Sequence, residues 1–331
     1  MKRIPRTIVA FGVLLVASTA LGAPRYPANP SVTGAAIYLS ADGISRLDAH
    51  TLEPRWHALR GVATFEPVVG EGAILVGSPA GLYALDPATG AVIWQVASKT
   101  TLFSPAVDGG LAFSGGEDGS LTAIAVADGT VIWRGQFPGW VYPPAIVGER
   151  LIVGGASHTL WGLDKANGTV VWTIPLAQEL VYRPANLGKT QAALTTFAGE
   201  VIVVNARDGS IAWRVTDPTP GFTPTAAEGL LLYGRFDGTL QARDQMSGAL
   251  RWAHAIGGRL NTPVNVYPGV VTVASDQGHV VALNLKTGQV LWQEMQPKAL
   301  IGSPVIFEGN LILFFLERRT PVGSAYRVQL R

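Results

Sequence analysis

The chemistry open to this chain starts with its five histidines, His50, His57, His158, His254 and His279, and its 23 acidic residues. A metal centre needs His, Cys, Asp or Glu side chains converging at ligand spacing. No two histidines stand at i, i+4, none sits beside a carboxylate in a ligand pattern, and cysteine is absent. Without cysteine there is no thiol nucleophile, disulfide framework, cysteine zinc site or lipid-anchored cysteine. The Gly-x-Ser-x-Gly elbow of many serine hydrolases does not occur, nor does a phosphate loop or a dinucleotide fingerprint. Gly115-Gly116-Glu117-Asp118-Gly119 is glycine-rich, but it reads as a hairpin turn. Asp42, Asp118, Asp128, Asp208 and Asp237 each precede a glycine, where a turn role explains them. These residues predict no catalytic group, no metal ligand and no cofactor.

Composition sets the frame in which any site must be built. Of 331 residues, 48% are hydrophobic and 15% charged, which excludes a disordered or acidic-tail protein. Gly 39 and Pro 22 are in excess and favour many tight turns over long helices. The first segment carries Lys2, Arg3 and Arg6 and no acid, then an apolar run from Thr7 to Gly22, then Ala23. That order is the pattern of an export signal, so residues 1–23 are predicted to be a signal peptide and 24–331 one domain. An uncleaved membrane anchor is the alternative, although the run is short for a spanning helix. Without residues 1–23 the 25 basic residues fall to 22, against 23 acidic. A near-neutral body argues against nucleic acid and anionic membrane as partners.

Repeats give the architecture. Trp56, Trp94, Trp133, Trp172, Trp213, Trp252 and Trp292 follow one another at intervals of 38 to 41 residues. All but the first close a similar phrase, such as Gly81-Leu-Tyr-Ala-Leu-Asp-Pro-Ala-Thr-Gly-Ala-Val-Ile-Trp94. Each unit reads as four short strands, A to D, bounded by Gly, Asp and Asn. An x-Pro pair marks strand A at Pro67, Pro105, Pro144, Pro184, Pro224, Pro263 and Pro304, with a less clear first unit near Pro30. Four-stranded units of about 40 residues bury both faces by stacking radially. The spacing therefore predicts an all-β, eight-bladed β-propeller of four-stranded antiparallel blades. The last unit lacks a fourth strand and a Trp. An open edge at the seam of a ring is a liability, so the segment around Arg25–Thr33 is expected to close the ring there.

The phrase Ala-Leu-Asp-x-x-Thr-Gly-x-x-x-Trp, cleanest at Ala84–Trp94 and Ala282–Trp292, resembles the tryptophan-docking repeat of the PQQ-type β-propellers. The resemblance spans roughly residues 30–331 and implies that the seven repeat tryptophans pack between blades against the repeat glycine. Single exported chains within that family resemble the BamB-like outer-membrane assembly factors, from which this chain departs in lacking the lipidated Cys. The catalytic members are quinone- and calcium-dependent dehydrogenases on longer chains with large insertions, and here the repeats are nearly minimal.

Outside the repeat register, Trp161 is expected to pack between blades. Trp140 lies in a connection from strand D to the next strand A. All such connections open onto one face of a ring. Phe103, Trp140, Tyr142, Leu180, Tyr182, Arg183, Phe222 and Arg259 would form an aromatic and basic rim there, since aromatic and Arg side chains anchor binding hot spots. Alternatively, the residues before x-Pro point inward and plug the channel mouth. BamB-like proteins imply partner contacts through a hydrophobic-x-hydrophobic-Arg phrase, nearest here to Leu180-Val181-Tyr182-Arg183. The expectation is an exported, monomeric, non-catalytic scaffold in the periplasm or cell envelope that binds a protein such as the barrel-assembly machinery. The alternatives are a quinone-dependent dehydrogenase and a ligand- or carbohydrate-sensing propeller.

Overall fold

The computed structural model describes residues 29–296, 302–314 and 325–329. Seven four-stranded antiparallel sheets follow one another along the chain as simple meanders. These blades comprise residues 31–58, 68–97, 106–136, 145–175, 185–216, 225–255 and 265–295. In the second, strand A is Val68–Gly70, B is Ala73–Ser78, C is Gly81–Leu85 and D is Val92–Ala97. Strands A of successive blades touch, which places them around the axis of a β-propeller.

Each strand's composition suits its depth. Strands B and C, such as Ala73–Ser78 and Val201–Asn205 within Glu200–Asn205, are rich in Val, Leu, Ile and Ala and are buried on both faces. Strands D alternate, with the repeat Trp turned inward and its neighbours exposed. The C–D ladder slips beside every repeat Trp. In blade 2, Ala84 pairs with Trp94 and Leu85 with Val92, leaving Ile93 as a bulge. A bulge on an outermost strand bends it and discourages edge-to-edge association.

The expectation of eight four-stranded blades closed by an N-terminal strand is overturned. The complete blades number seven, and the sheet after them, Val305–Phe307, Asn310–Phe314 and Ala325–Gln329, has three strands among the described residues. Ser31–Thr33 is strand A of the first blade, paired with Ala36–Ser40. The cause is local: Gly34 turns the chain at once, with φ +51°, so Ser31–Thr33 folds back on Ala36–Ser40 as an inner strand. The x-Pro pairs mark inner strands, whereas the Trp of strand D marks complete blades. Side chains join the two ends of the ring, where Ile37, Leu39 and Leu52 pack with Val305, Ile312 and Phe314. The first 23 residues and the segment 24–28 lie outside the described residues.

Candidate functional site

The repeat tryptophans stand at the joints between blades. Trp56 Nε1 donates to Pro87 O (3.1 Å), Trp94 to Val126 O (2.7 Å) and Trp133 to Lys165 O (3.2 Å). Trp172 donates to Ala206 O (2.9 Å), Trp213 to Gln245 O (2.9 Å) and Trp252 to Leu285 O (3.0 Å). Each acceptor lies in the C–D turn of the following blade. Trp292 packs against Leu311 and Leu313 of the three-stranded sheet. Each of the first six rings covers the repeat glycine of the next blade, so closely that a Cβ on Gly90 would lie 2.7 Å from Trp56, and one on Gly129 2.9 Å from Trp94. Trp161 is 8% exposed and meets Phe137 at 5.0 Å, in a cluster shared by the third and fourth blades.

The residues two before the inner-strand prolines converge on the axis. Phe65, Phe103, Tyr142, Tyr182 and Phe222, one from each of five successive connections, form an arc with centroid spacings of 5.3, 5.6, 5.4 and 5.6 Å. A residue before proline is held extended, so its side chain and that of its predecessor leave the backbone on opposite sides. The residues directly before Pro67 and Pro184 are Glu66 and Arg183. Their side chains meet at 2.8 Å, Arg183 Nη1 to Glu66 Oε1, joining the starts of the second and fifth blades across the throat. Glu66 is the more buried partner, with a side chain 9% exposed against 30% for Arg183. The Glu66 carboxylate outweighs burial and holds Arg183 protonated above the ordinary arginine range.

The eight residues read from the sequence as a rim thus divide, with Phe103 fully buried in the arc. Tyr142, Leu180, Tyr182 and Phe222 are buried, and Arg183 is half-buried in the throat. Trp140 and Arg259 are exposed. Arg259 sets its guanidinium carbon 3.7 Å from the centroid of Phe236, a cation–π contact. Phe236 in turn lies 6.4 Å from Phe197, which is 42% exposed. Phe197 and Phe236 sit in B–C turns, which pair with the D–A connections through the bridges Leu180↔Thr196 and Gly221↔Arg235. The D–A face therefore carries a partly exposed aromatic and cationic cluster beside the aromatic arc. The sequence reading missed Phe197 and Phe236. Their signal was a large aromatic in a hairpin turn, two residues before a glycine, where a polar residue is the norm.

The carboxylates of the repeat turns act within those turns. Asp86 accepts from the Ala88 and Thr89 amides, Asp208 from Ser210, and Asp244 from Met246 and Ser247. These bonds hold Asp86 and Asp208 below the ordinary carboxylate range, and Asp244 is held there by the Arg251 guanidinium first and the Ser247 bonds second. His57 Nε2 lies 2.7 Å from the Asp42 carbonyl. No group of three or more metal-ligating side chains converges among the described residues.

One cavity, of about 430 Å³, lies along the inner strands of the middle blades. Its wall includes Val107, Ala145, Ile146, Asn186 and Thr225, with Arg183 at the throat end.

The profile of a family described as outer membrane protein assembly factor BamB matches residues 15–101, 78–216 and 197–317. Among curated proteins, BamB of Moranella endobia (strain PCIT) is 31% identical over 102 residues, which is 29% of this chain and 26% of that protein. BamB of Yersinia pestis is 30% identical over 100 residues, 28% of this chain and 25% of that protein. The matched part thus spans about a quarter of these relatives' length. The crystal structure of BamB from Moraxella catarrhalis superposes with a TM-score of 0.65 at 19% identity, covering 80% of this chain and 88% of that one. The computationally designed Ika8 protein superposes with a TM-score of 0.81 at 12% identity, covering 93% and 98%. At such identities the two structures bear on the fold alone.

Proposed function

From the premise that the chain belongs to the family of outer membrane protein assembly factor BamB, we propose that it is an exported, non-catalytic scaffold of the cell envelope. Its D–A face holds another protein of the outer-membrane assembly apparatus. The observation that carries this reading is the cluster of exposed Phe197 and Arg259 on half-buried Phe236, with exposed Trp140 on the same face. Aromatic and Arg side chains anchor protein interfaces, and the Asx turns, buried strands and Trp joints behind them keep that surface fixed in shape. Preorganisation of this kind lowers the ordering cost of association.

The test is capture from envelope extract of the source organism with the wild-type chain and a Trp140→Ala/Arg259→Ala variant. Both side chains are exposed, so the variant is expected to match the wild type in thermal unfolding. The expected result is one or more outer-membrane assembly proteins captured by the wild type and lost, by tenfold or more, from the variant. Capture of the same proteins by both forms would defeat the assignment of the face. Dye reduction on addition of quinone and calcium would defeat the non-catalytic reading.

A further inference from the structure

The throat presents a cation to the cavity and hides its anion. Arg183 forms part of the cavity wall, whereas Glu66, its one ion-pair partner among the described residues, is buried behind it and takes no part in the wall. The contact brings Arg183 Nη1 to Glu66 Oε1 at 2.8 Å. A guanidinium carries five N–H donors in a planar fork and readily takes a carboxylate on each of two edges. The neighbouring polar side chains already donate elsewhere. Asn186 Nδ2 donates to Ile146 O, Thr225 Oγ1 to Val264 O (3.2 Å) and Thr223 Oγ1 to Arg183 O (3.4 Å). The rest of the wall is apolar, from Val107, Ala145, Ile146 and the inner-strand prolines. A volume of about 430 Å³ lies within the range of small-molecule sites.

We propose that this cavity binds a small monocarboxylate with an apolar body, its carboxylate on the free edge of Arg183 and its body against the inner strands. One anchoring cation, beside polar side chains already engaged and apolar side chains along the inner strands, selects for a single terminal negative charge. A phosphate would bring more charge than a guanidinium already shared with Glu66 can balance, and no second cation lines the wall among the described residues. A cationic amphiphile would meet Arg183 with like charge. The site lies on the inner-strand side of the aromatic arc, apart from Trp140, Phe197, Phe236 and Arg259, so it stands or falls independently of the docking face.

The probe is octanoate, titrated calorimetrically into the mature chain, with octanol and octylamine as comparators. Octanoate is expected to bind at least tenfold more tightly than octanol, and octylamine not at all. Glu66→Gln frees the second guanidinium edge and is expected to tighten octanoate several-fold. Arg183→Met alone would strand a buried carboxylate and endanger folding, so the decisive variant is Glu66→Gln/Arg183→Met, which removes both charges together. It is expected to unfold cooperatively near the wild-type temperature and to lose octanoate binding by tenfold or more. Ile146→Trp, which fills the cavity without touching the ion pair, is expected to lose binding as well. Equal affinity for octanol and octanoate, undiminished binding by the double variant, or no binding of octanoate at millimolar concentration would each overturn the proposal.

Discussion

The chain joins adjacent sheets in two ways, and the contrast between a repeated joint and the seam shows what the repeat is for. At a repeated joint, a Trp from one blade lies on a glycine of the next, and its Nε1 donates to a carbonyl of the same turn. The glycines are required twice over. Gly90 and Gly129 hold φ at +75° and +78°, and each has an indole where a Cβ would stand. At the seam no Trp arrives, because residues 303–331 contain none. The equivalent turn of the first blade carries Leu52, four residues before Trp56 as Gly90 is before Trp94. Leu52 keeps the same turn, with its N–H 2.8 Å from Asp48 O as Gly90 N–H is 2.8 Å from Asp86 O. It also keeps a left-handed φ of +63°. Its side chain, 5% exposed, joins the cluster with Val305, Ile312 and Phe314. A leucine under strain thus fills space that an indole fills elsewhere.

The largest effect is expected at a repeated joint. Trp94→Ala removes an indole that is 9% exposed and leaves Val126 O without its donor. The expected cost is about 3–5 kcal/mol, read as a shift in the urea midpoint. Native-state hydrogen exchange would then separate the two kinds of joint. Amides of Asn310–Phe314 are expected to exchange faster than those of Ala73–Ser78 and Leu111–Gly115, whose blades are fastened by tryptophan. Equal protection would erase the distinction.

Reciprocal substitutions sharpen the contrast. Leu52→Gly relieves a left-handed leucine, a gain of about 1 kcal/mol. It also empties a buried leucine site, a loss of about 3–5 kcal/mol. The net expectation is a loss of about 2–4 kcal/mol. Gly129→Ala places a methyl 2.9 Å from the Trp94 ring at φ +78°. The joint must then shift, at an expected cost of about 2 kcal/mol. Stabilisation by either substitution would refute the pairing of Trp with glycine as the joint's design.

These joints were only partly legible in the sequence. The interval between tryptophans was readable because each blade buries the same surface in the same way. The count of complete blades was not, because x-Pro pairs report inner strands and the last sheet has an inner strand without a tryptophan. Tyr142, Tyr182 and Phe222 were visible as aromatic residues before x-Pro, but their direction depends on the alternation imposed at the proline and on neighbours some 40 residues away. The Glu66–Arg183 pair lay further out of reach, since it links two positions separated by three blades and neither has a local partner that betrays it. Leu52 was hidden for the opposite reason: it breaks the repeat at the point where the repeat has no neighbour to serve.

A polar joint between the fifth and sixth blades offers a test through pH. Tyr233 Oη donates to Asp217 Oδ2 (2.6 Å), while Arg243 donates through Nε to Tyr233 Oη (2.7 Å) and through Nη2 to Asp217 Oδ1 (2.6 Å). Burial first, and the Asp217 carboxylate second, push the Tyr233 hydroxyl above its ordinary ionisation near 10.0. The folded chain therefore keeps this proton at a pH where the unfolded chain has lost it. The resulting stability is whole below about pH 10 and is lost as the pH rises beyond it. Tyr233→Phe is expected to be less stable at neutral pH by about 1–3 kcal/mol. It should also show a shallower fall in urea midpoint above about pH 10 than the wild type. Parallel pH profiles for the two chains would mean that the network does not couple this joint to ionisation.

The smallest effect is expected at a surface contact across the seam. His50 Nε2 lies 3.4 Å from Glu308 Oε1, and its ring meets Phe307 edge-on at 4.9 Å, linking a turn of the first blade to a turn of the last sheet. The side chains are 51% and 62% exposed, so water and salt screen the pair, and exposed ion pairs contribute about 0–1 kcal/mol. His50→Ala is therefore expected to shift stability by less than about 1 kcal/mol, most of it from the lost Phe307 contact. A loss as large as that of Leu52→Gly would make this surface pair, and not the buried aliphatic cluster, the fastening of the ring. The indole-free seam would then depend on salt, which a urea midpoint measured at low and high ionic strength would reveal.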